Sequence, residues 1–148
     1  MGRRDRSLRT RDFASDSEVA ALVSAFENAT IPASEFTHAA HIAVALSYLD
    51  SFSPDEALQR MREKIRFFAA HHGVTNLYHE TLTTFWMRPL DHVARSCDSE
   101  VPLWQRINLI VARWGSRRPV DAHYSRELLS SQAARETWIP PDRLPIPF

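Results

Sequence analysis

The stretch Ser53-Pro54-Asp55-Glu56-Ala57-Leu58-Gln59-Arg60-Met61-Arg62-Glu63-Lys64-Ile65-Arg66-Phe67-Phe68-Ala69-Ala70-His71-His72-Gly73 decides the fold class. Ser53 can cap a helix, Pro54 falls where a first helical residue needs no N–H, and Glu56 completes a capping box. Leu58, Met61, Ile65 and Phe68 recur at helical spacing, which predicts one buried face, and Gly73 is a natural C-cap. His71 and His72 close the last turn and read as exposed histidines favoured by the helix dipole.

The same signals continue on both sides. Upstream, Thr37 is the N-cap of a helix running to about Asp50, with Ile42, Ala45, Leu46 and Leu49 inward. Before it, Asp16 or Ser17 opens a helix with Val19, Leu22, Val23 and Phe26 on one face, ending before Ile31-Pro32. Downstream, Thr75 or Asn76 starts a fourth, with Leu82, Phe85, Trp86, Leu90 and Val93 spaced for burial and Pro89 marking a kink or break. Leu103, Ile107, Ile110, Val111 and Trp114 make a fifth that stops at Gly115. Ser125 and Ser130 or Ser131 open short terminal helices that include Leu128, Leu129 and Trp138. No segment alternates as a strand does, and the 3 glycines leave little hairpin chemistry. Short connections favour antiparallel neighbours, so the expectation is an all-α, single compact bundle of about five main helices over residues 15–139.

A chain of 148 residues with 44% hydrophobic content holds one core and is too short for two ordinary domains. Its 18 basic and 18 acidic residues cancel, and no basic stripe is interleaved with aromatics, which argues against a nucleic-acid partner. All the basic residues except Lys64 are arginine, a skew that carries no functional reading. Residues 1–14, with Arg3, Arg4, Arg6, Arg9 and Arg11, read as a disordered basic tail. Residues 140–148 contain Pro140, Pro141, Pro145 and Pro147 and read as an extended segment. Its Leu144, Ile146 and Phe148 are expected to lie against the bundle. Cys97 stands alone, which excludes an intramolecular disulfide and a thiolate zinc cluster. No apolar run approaches the roughly 20 residues that cross a bilayer, and no signal-peptide core opens the chain. The expectation is a soluble, cytoplasmic protein with no membrane partner.

Chemistry concentrates in two segments, Glu35-Phe36-Thr37-His38-Ala39-Ala40-His41 and Tyr78-His79-Glu80-Thr81-Leu82-Thr83. His38 and His41 lie three residues apart, about 60° around a helix, so both can face one quadrant. His79 falls three before Leu82 and seven before Trp86, on the buried stripe. If the second and fourth helices meet, His38, His41 and His79 are candidate ligands for one divalent ion, zinc, iron or manganese. Glu35 or Glu80 would then serve as fourth ligand or general base. Tyr78, Thr83, His123 and Tyr124 are candidate ligand-orienting groups. The string Glu35-x-x-His38 matches half of a di-metal carboxylate pattern, and the second half is missing. Two other readings use the same residues. The histidines can serve as hydrogen-bonding groups in a pocket for a small organic ligand. They can also be core groups of an oligomer-forming protein whose contact uses Trp86, Trp104, Trp114 and the prolyl tail. There is no phosphate-cradling glycine loop, no nucleophile elbow and no His-Glu-x-x-His helix, so the sequence names no reaction.

The strings from Phe36-Thr37-His38-Ala39-Ala40-His41-Ile42, through Tyr78-His79-Glu80-Thr81-Leu82-Thr83, to Tyr124-Ser125-Arg126-Glu127-Leu128 with Trp138 and Pro141-Asp142 resemble a widespread bacterial family of small, uncharacterised proteins. The resemblance spans most of residues 34–147. It implies a compact helical fold and no established activity.

Overall fold

Ser53 accepts a hydrogen bond from the Glu56 N–H at 3.2 Å, and the helix it caps runs Pro54–His72 until Gly73, at φ +69, turns the chain out of it. A β-carbon is strained at that left-handed angle, so glycine is the residue the stop requires. In the computed structural model, which describes residues 12–74, 78–114 and 119–147, this helix is α3 in the series α1 (Asp16–Glu27), α2 (His38–Ser51), α3 (Pro54–His72), α4 (Glu80–Ser96), α5 (Leu103–Trp114), α6 (Arg126–Leu129) and α7 (Gln132–Glu136). Short 3-10 turns occupy Ala33–Glu35 and Pro119–Ala122. The described residues contain no strand, so the protein is all-α.

Helix α2 is the centre. Ala40, Ile42, Ala43, Val44, Ala45, Leu46 and Tyr48 are all buried, wider coverage than the single stripe expected from the sequence. A helix apolar on every side is stable only when surrounded, and α2 packs against α1, α3, α4 and α5. Among the residues this buries, the Tyr48 hydroxyl donates to Glu27 Oε2 at 2.5 Å. Burial, with the Glu27 carboxylate beside it, pushes the Tyr48 phenol above its usual pKa.

The main core joins α1 to α5 through residues such as Phe26, Phe36, Ile42, Phe68, Leu90 and Ile107. A second, smaller cluster lies under the C-terminal segment, formed by Phe85, Val120, Tyr124 and Leu129 with Trp138 and Ile146 against it. Trp86 packs against both.

Several boundaries differ from expectation. The cap of α1 is Ser15, one residue before Asp16, because its hydroxyl accepts from Glu18 N–H. Residues 12–14 do not belong to a free tail: Phe13 is buried, its N–H donates to Asn108 Oδ1 at 2.9 Å, and Asn108 Nδ2 donates back to its carbonyl at 2.8 Å. The arginines at 3–11 lie outside the described residues. Helix α4 begins at Glu80 with His79 as its cap, later than the start read at Thr75 or Asn76, which are also outside the described residues. It runs through Pro89, whose missing N–H leaves the Phe85 carbonyl without its helical donor. The expected stop at Gly115 lies outside the described residues. Trp138 follows α7 instead of belonging to it.

The segment after α7 stays on the bundle. Arg143 N–H donates to His123 O, Ser125 Oγ donates to Asp142 Oδ2 at 2.6 Å, and Ile146 is half-buried while Leu144 is exposed. No described helix is long and apolar enough to cross a membrane.

Candidate functional site

The segment Tyr78–Thr81 alternates its side chains between two parts of the protein. Tyr78 and Glu80 face α3. Arg62 approaches Glu80 with Nε 2.9 Å and Nη2 2.7 Å from Oε2, Thr84 Oγ1 donates to the same oxygen at 3.2 Å, and the Tyr78 hydroxyl donates to Oε1. Burial pushes the Glu80 carboxyl up, but the hydrogen bonds from Arg62 and Tyr78 and the guanidinium charge outweigh it and hold the group below the usual carboxylate range. A carboxylate whose two oxygens receive four donor groups, with Arg62 Nε shared between them, has no lone pair left to take a proton from a substrate. Burial raises the Tyr78 phenol, and donation to Glu80 raises it further.

His79 and Thr81 face the C-terminal segment. His79 is extended, at φ −142, and its Nδ1 accepts the Leu82 N–H at 3.1 Å, the role an asparagine or serine usually plays at an N-cap. Its Nε2 donates to Leu129 O at 2.8 Å. Those two bonds define the neutral Nε2–H tautomer. Burial pushes its pKa down and the Arg135 charge adds to that, against the opposing effect of the Leu129 bond. Thr81, fully buried, donates to Thr137 O at 2.8 Å and accepts from Ile139 N–H at 3.2 Å. Arg135 Nη1 donates to Tyr78 O. The four residues therefore fasten α4 to α3 on one side and to the chain's last helices on the other.

The first histidine segment lies elsewhere. Thr37 caps α2, accepting from Ala40 N–H, and His41 Nδ1 donates to Thr37 O at 2.9 Å. The His41 ring stacks on Phe36 at 3.7 Å between centroids. Phe36 contacts Phe68 at 5.1 Å, and Phe68 contacts His72 at 4.4 Å. Beside His41, the His38 ring meets Trp86 edge-on at 4.6 Å, and Trp86 contacts Trp114 at 6.2 Å. Burial lowers the His41 pKa to about 4, with neighbouring His38 adding to the shift and the Thr37 bond opposing it, so the imidazole is neutral. Nε2 of His72 is buried with no hydrogen-bond partner.

Helices α2 and α4 do pack together as expected, yet in a register that sets His38 opposite Trp86. His79 is seven residues earlier, about 10 Å along the axis at 1.5 Å per residue. His38, His41 and His79 are accordingly not gathered, and among the described residues no group of three His, Cys, Asp or Glu side chains could hold a metal ion. Glu35 is exposed in its 3-10 turn. Thr83 is half-buried on α4. His123 Nδ1 donates to Leu144 O at 2.9 Å, and the buried Tyr124 hydroxyl donates to Ile139 O at 2.6 Å. Burial pushes the Tyr124 phenol up to about 12, and nearby Asp142 adds to it. Both residues hold the C-terminal segment.

His72 is more buried than its sequence position implies. Its place in the last turn suggested solvent, but it stands four after Phe68 and seven after Ile65, the stripe that α3 buries. No family model, no curated protein and no solved structure matches this chain.

Proposed function

We propose that the protein binds a small, uncharged, planar organic molecule at the end of the bundle where His38, His41 and His72 meet Phe36, Phe68 and Trp86. The observation that carries this reading is the His72 Nε2, a buried polar atom with no partner. Such an atom costs about 1–3 kcal/mol, a cost that a ligand supplying the missing bond would recover. Aromatic faces provide the contact area, and the imidazoles provide donors or acceptors according to tautomer. His38, His72, Trp86 and Trp114 are each partly exposed, which leaves the cluster an open edge.

A divalent ion on His38, His41 and His79 is the less favoured reading. His79 could ligate only by releasing the Leu129 carbonyl or the Leu82 N–H, so of the three imidazoles it has both nitrogens already committed. Glu80 is equally committed, so binding is favoured over turnover. The test is a screen of neutral heteroaromatic compounds read by thermal stability and by tryptophan fluorescence, since Trp86 and Trp114 belong to the cluster. Compounds that stabilise the wild type and fail on His72→Phe support the reading. A screen in which every stabilising compound acts equally on His72→Phe rejects it.

A further inference from the structure

At the other end of the bundle, a cleft of about 330 Å³ opens between the C-terminal turns of α2 and α4 and the Leu103–Ile110 face of α5. That volume lies within the range of small-molecule sites, at its lower end. The lining divides by chemistry. Leu46, Leu49, Ala94, Leu103 and Ile110 make an aliphatic part, while Asp50, Asp91, Arg95 and Arg106 supply charge.

The charged groups are not equally committed. Arg95 pairs with Asp91 through both its Nε and Nη2, so both Asp91 oxygens are engaged. Arg106 is held differently: Nε donates to Val101 O at 2.9 Å and Nη1 to Asp50 Oδ1 at 3.1 Å. Its side chain is only 15% exposed, so the guanidinium is fixed in place with donors to spare, and Asp50 Oδ2 stands beside it as an acceptor. A fixed guanidinium suits a carboxylate, and an adjoining carboxylate oxygen suits an ammonium. The four charges of the lining cancel, which favours a ligand that is itself neutral overall.

We propose that this cleft is a ligand site for a free zwitterion with a branched aliphatic side chain, of the class of leucine. The carboxylate lies on Arg106, the ammonium on Asp50, and the side chain among Leu46, Leu49, Leu103 and Ile110. The site is separate from the imidazole cluster and does not depend on it.

Isothermal titration of the full-length protein tests this with three probes: leucine, isocaproate, which lacks the ammonium, and isopentylamine, which lacks the carboxylate. Leucine is expected to bind, and each analogue to bind roughly tenfold more weakly or worse. Arg106→Met should abolish leucine binding. Ala94→Phe, which fills the cleft while leaving the Arg106–Asp50 pair in place, should do the same, and His72→Phe should leave it intact. The proposal is overturned by wild-type protein that does not bind leucine, by three probes that bind alike, or by undiminished binding to either cleft variant.

Discussion

The imidazole of His79 donates from Nε2 to the carbonyl of Leu129, 2.8 Å away and 50 residues later in the chain, while its Nδ1 caps the helix that begins beside it. One neutral ring thus ties a helix start to the C-terminal segment, and both nitrogens are in use.

Replacing that ring removes two bonds at once. His79→Ala should cost about 2–4 kcal/mol in denaturant unfolding, from a lost N-cap and an orphaned buried carbonyl. His79→Asn should recover part of this, because asparagine caps well but is too short to reach Leu129. Elemental analysis of the same proteins addresses the ion: metal content should be independent of residue 79.

The Glu80 carboxylate balances Arg62 and receives Tyr78 and Thr84. Glu80→Gln should destabilise by about 1–3 kcal/mol, less than a fully buried pair because Arg62 remains partly hydrated. Because its folded pKa is depressed, its contribution is complete above the unfolded carboxylate pKa and is lost as pH falls through the lower folded value. Unfolding curves of wild type and Glu80→Gln should therefore converge under acid.

His41 gives a second, separate pH dependence. The unfolded imidazole takes a proton near pH 6.5 and the folded one only at about 4, so the unfolded state binds more protons between those values. Stability contributed by the neutral ring is present above pH 6.5 and declines as pH drops toward 4. His41→Phe, which preserves a ring against Phe36, should flatten that part of the stability profile. An unchanged slope in the variant would assign the dependence to other groups.

His72→Phe should raise the stability of the free protein by about 1–2 kcal/mol, since it replaces a buried nitrogen without a partner by carbon of similar shape. A stabilising change that also removes ligand binding is the signature of a group kept for function. Loss of stability in this variant would mean that the nitrogen is satisfied in solution.

Helix positions were legible where caps and periodicity agreed. Ser53 with Glu56 and Gly73 fixed α3 from local chemistry, and Thr37 did the same for α2. The start of α4 was not legible, because imidazole is an unusual cap and its use depends on Leu129, which no local pattern can bring to it. The pairing of α2 with α4 could be argued from connection lengths, but the register that separates His38 from His79 could not. That register follows from side-chain packing around α2, with Trp86 against His38. Glu80 looked like a reactive carboxylate because its partner Arg62 lies 18 residues away on another helix. His72 was readable in principle from its spacing to Phe68 and Ile65, but its last-turn position pointed to the dipole instead.

Chemical-shift mapping reads ligand binding at the imidazole cluster: isotope-labelled protein is titrated with neutral heteroaromatic compounds while the imidazole signals of His38, His41, His72 and His79 and the Trp86 indole are followed. Binding at the cluster moves His72, His38 and Trp86 together while His79, locked between Leu82 and Leu129, stays still. Compounds that bind but shift only other regions, or a library that leaves His72 and Trp86 unmoved throughout, would contradict it.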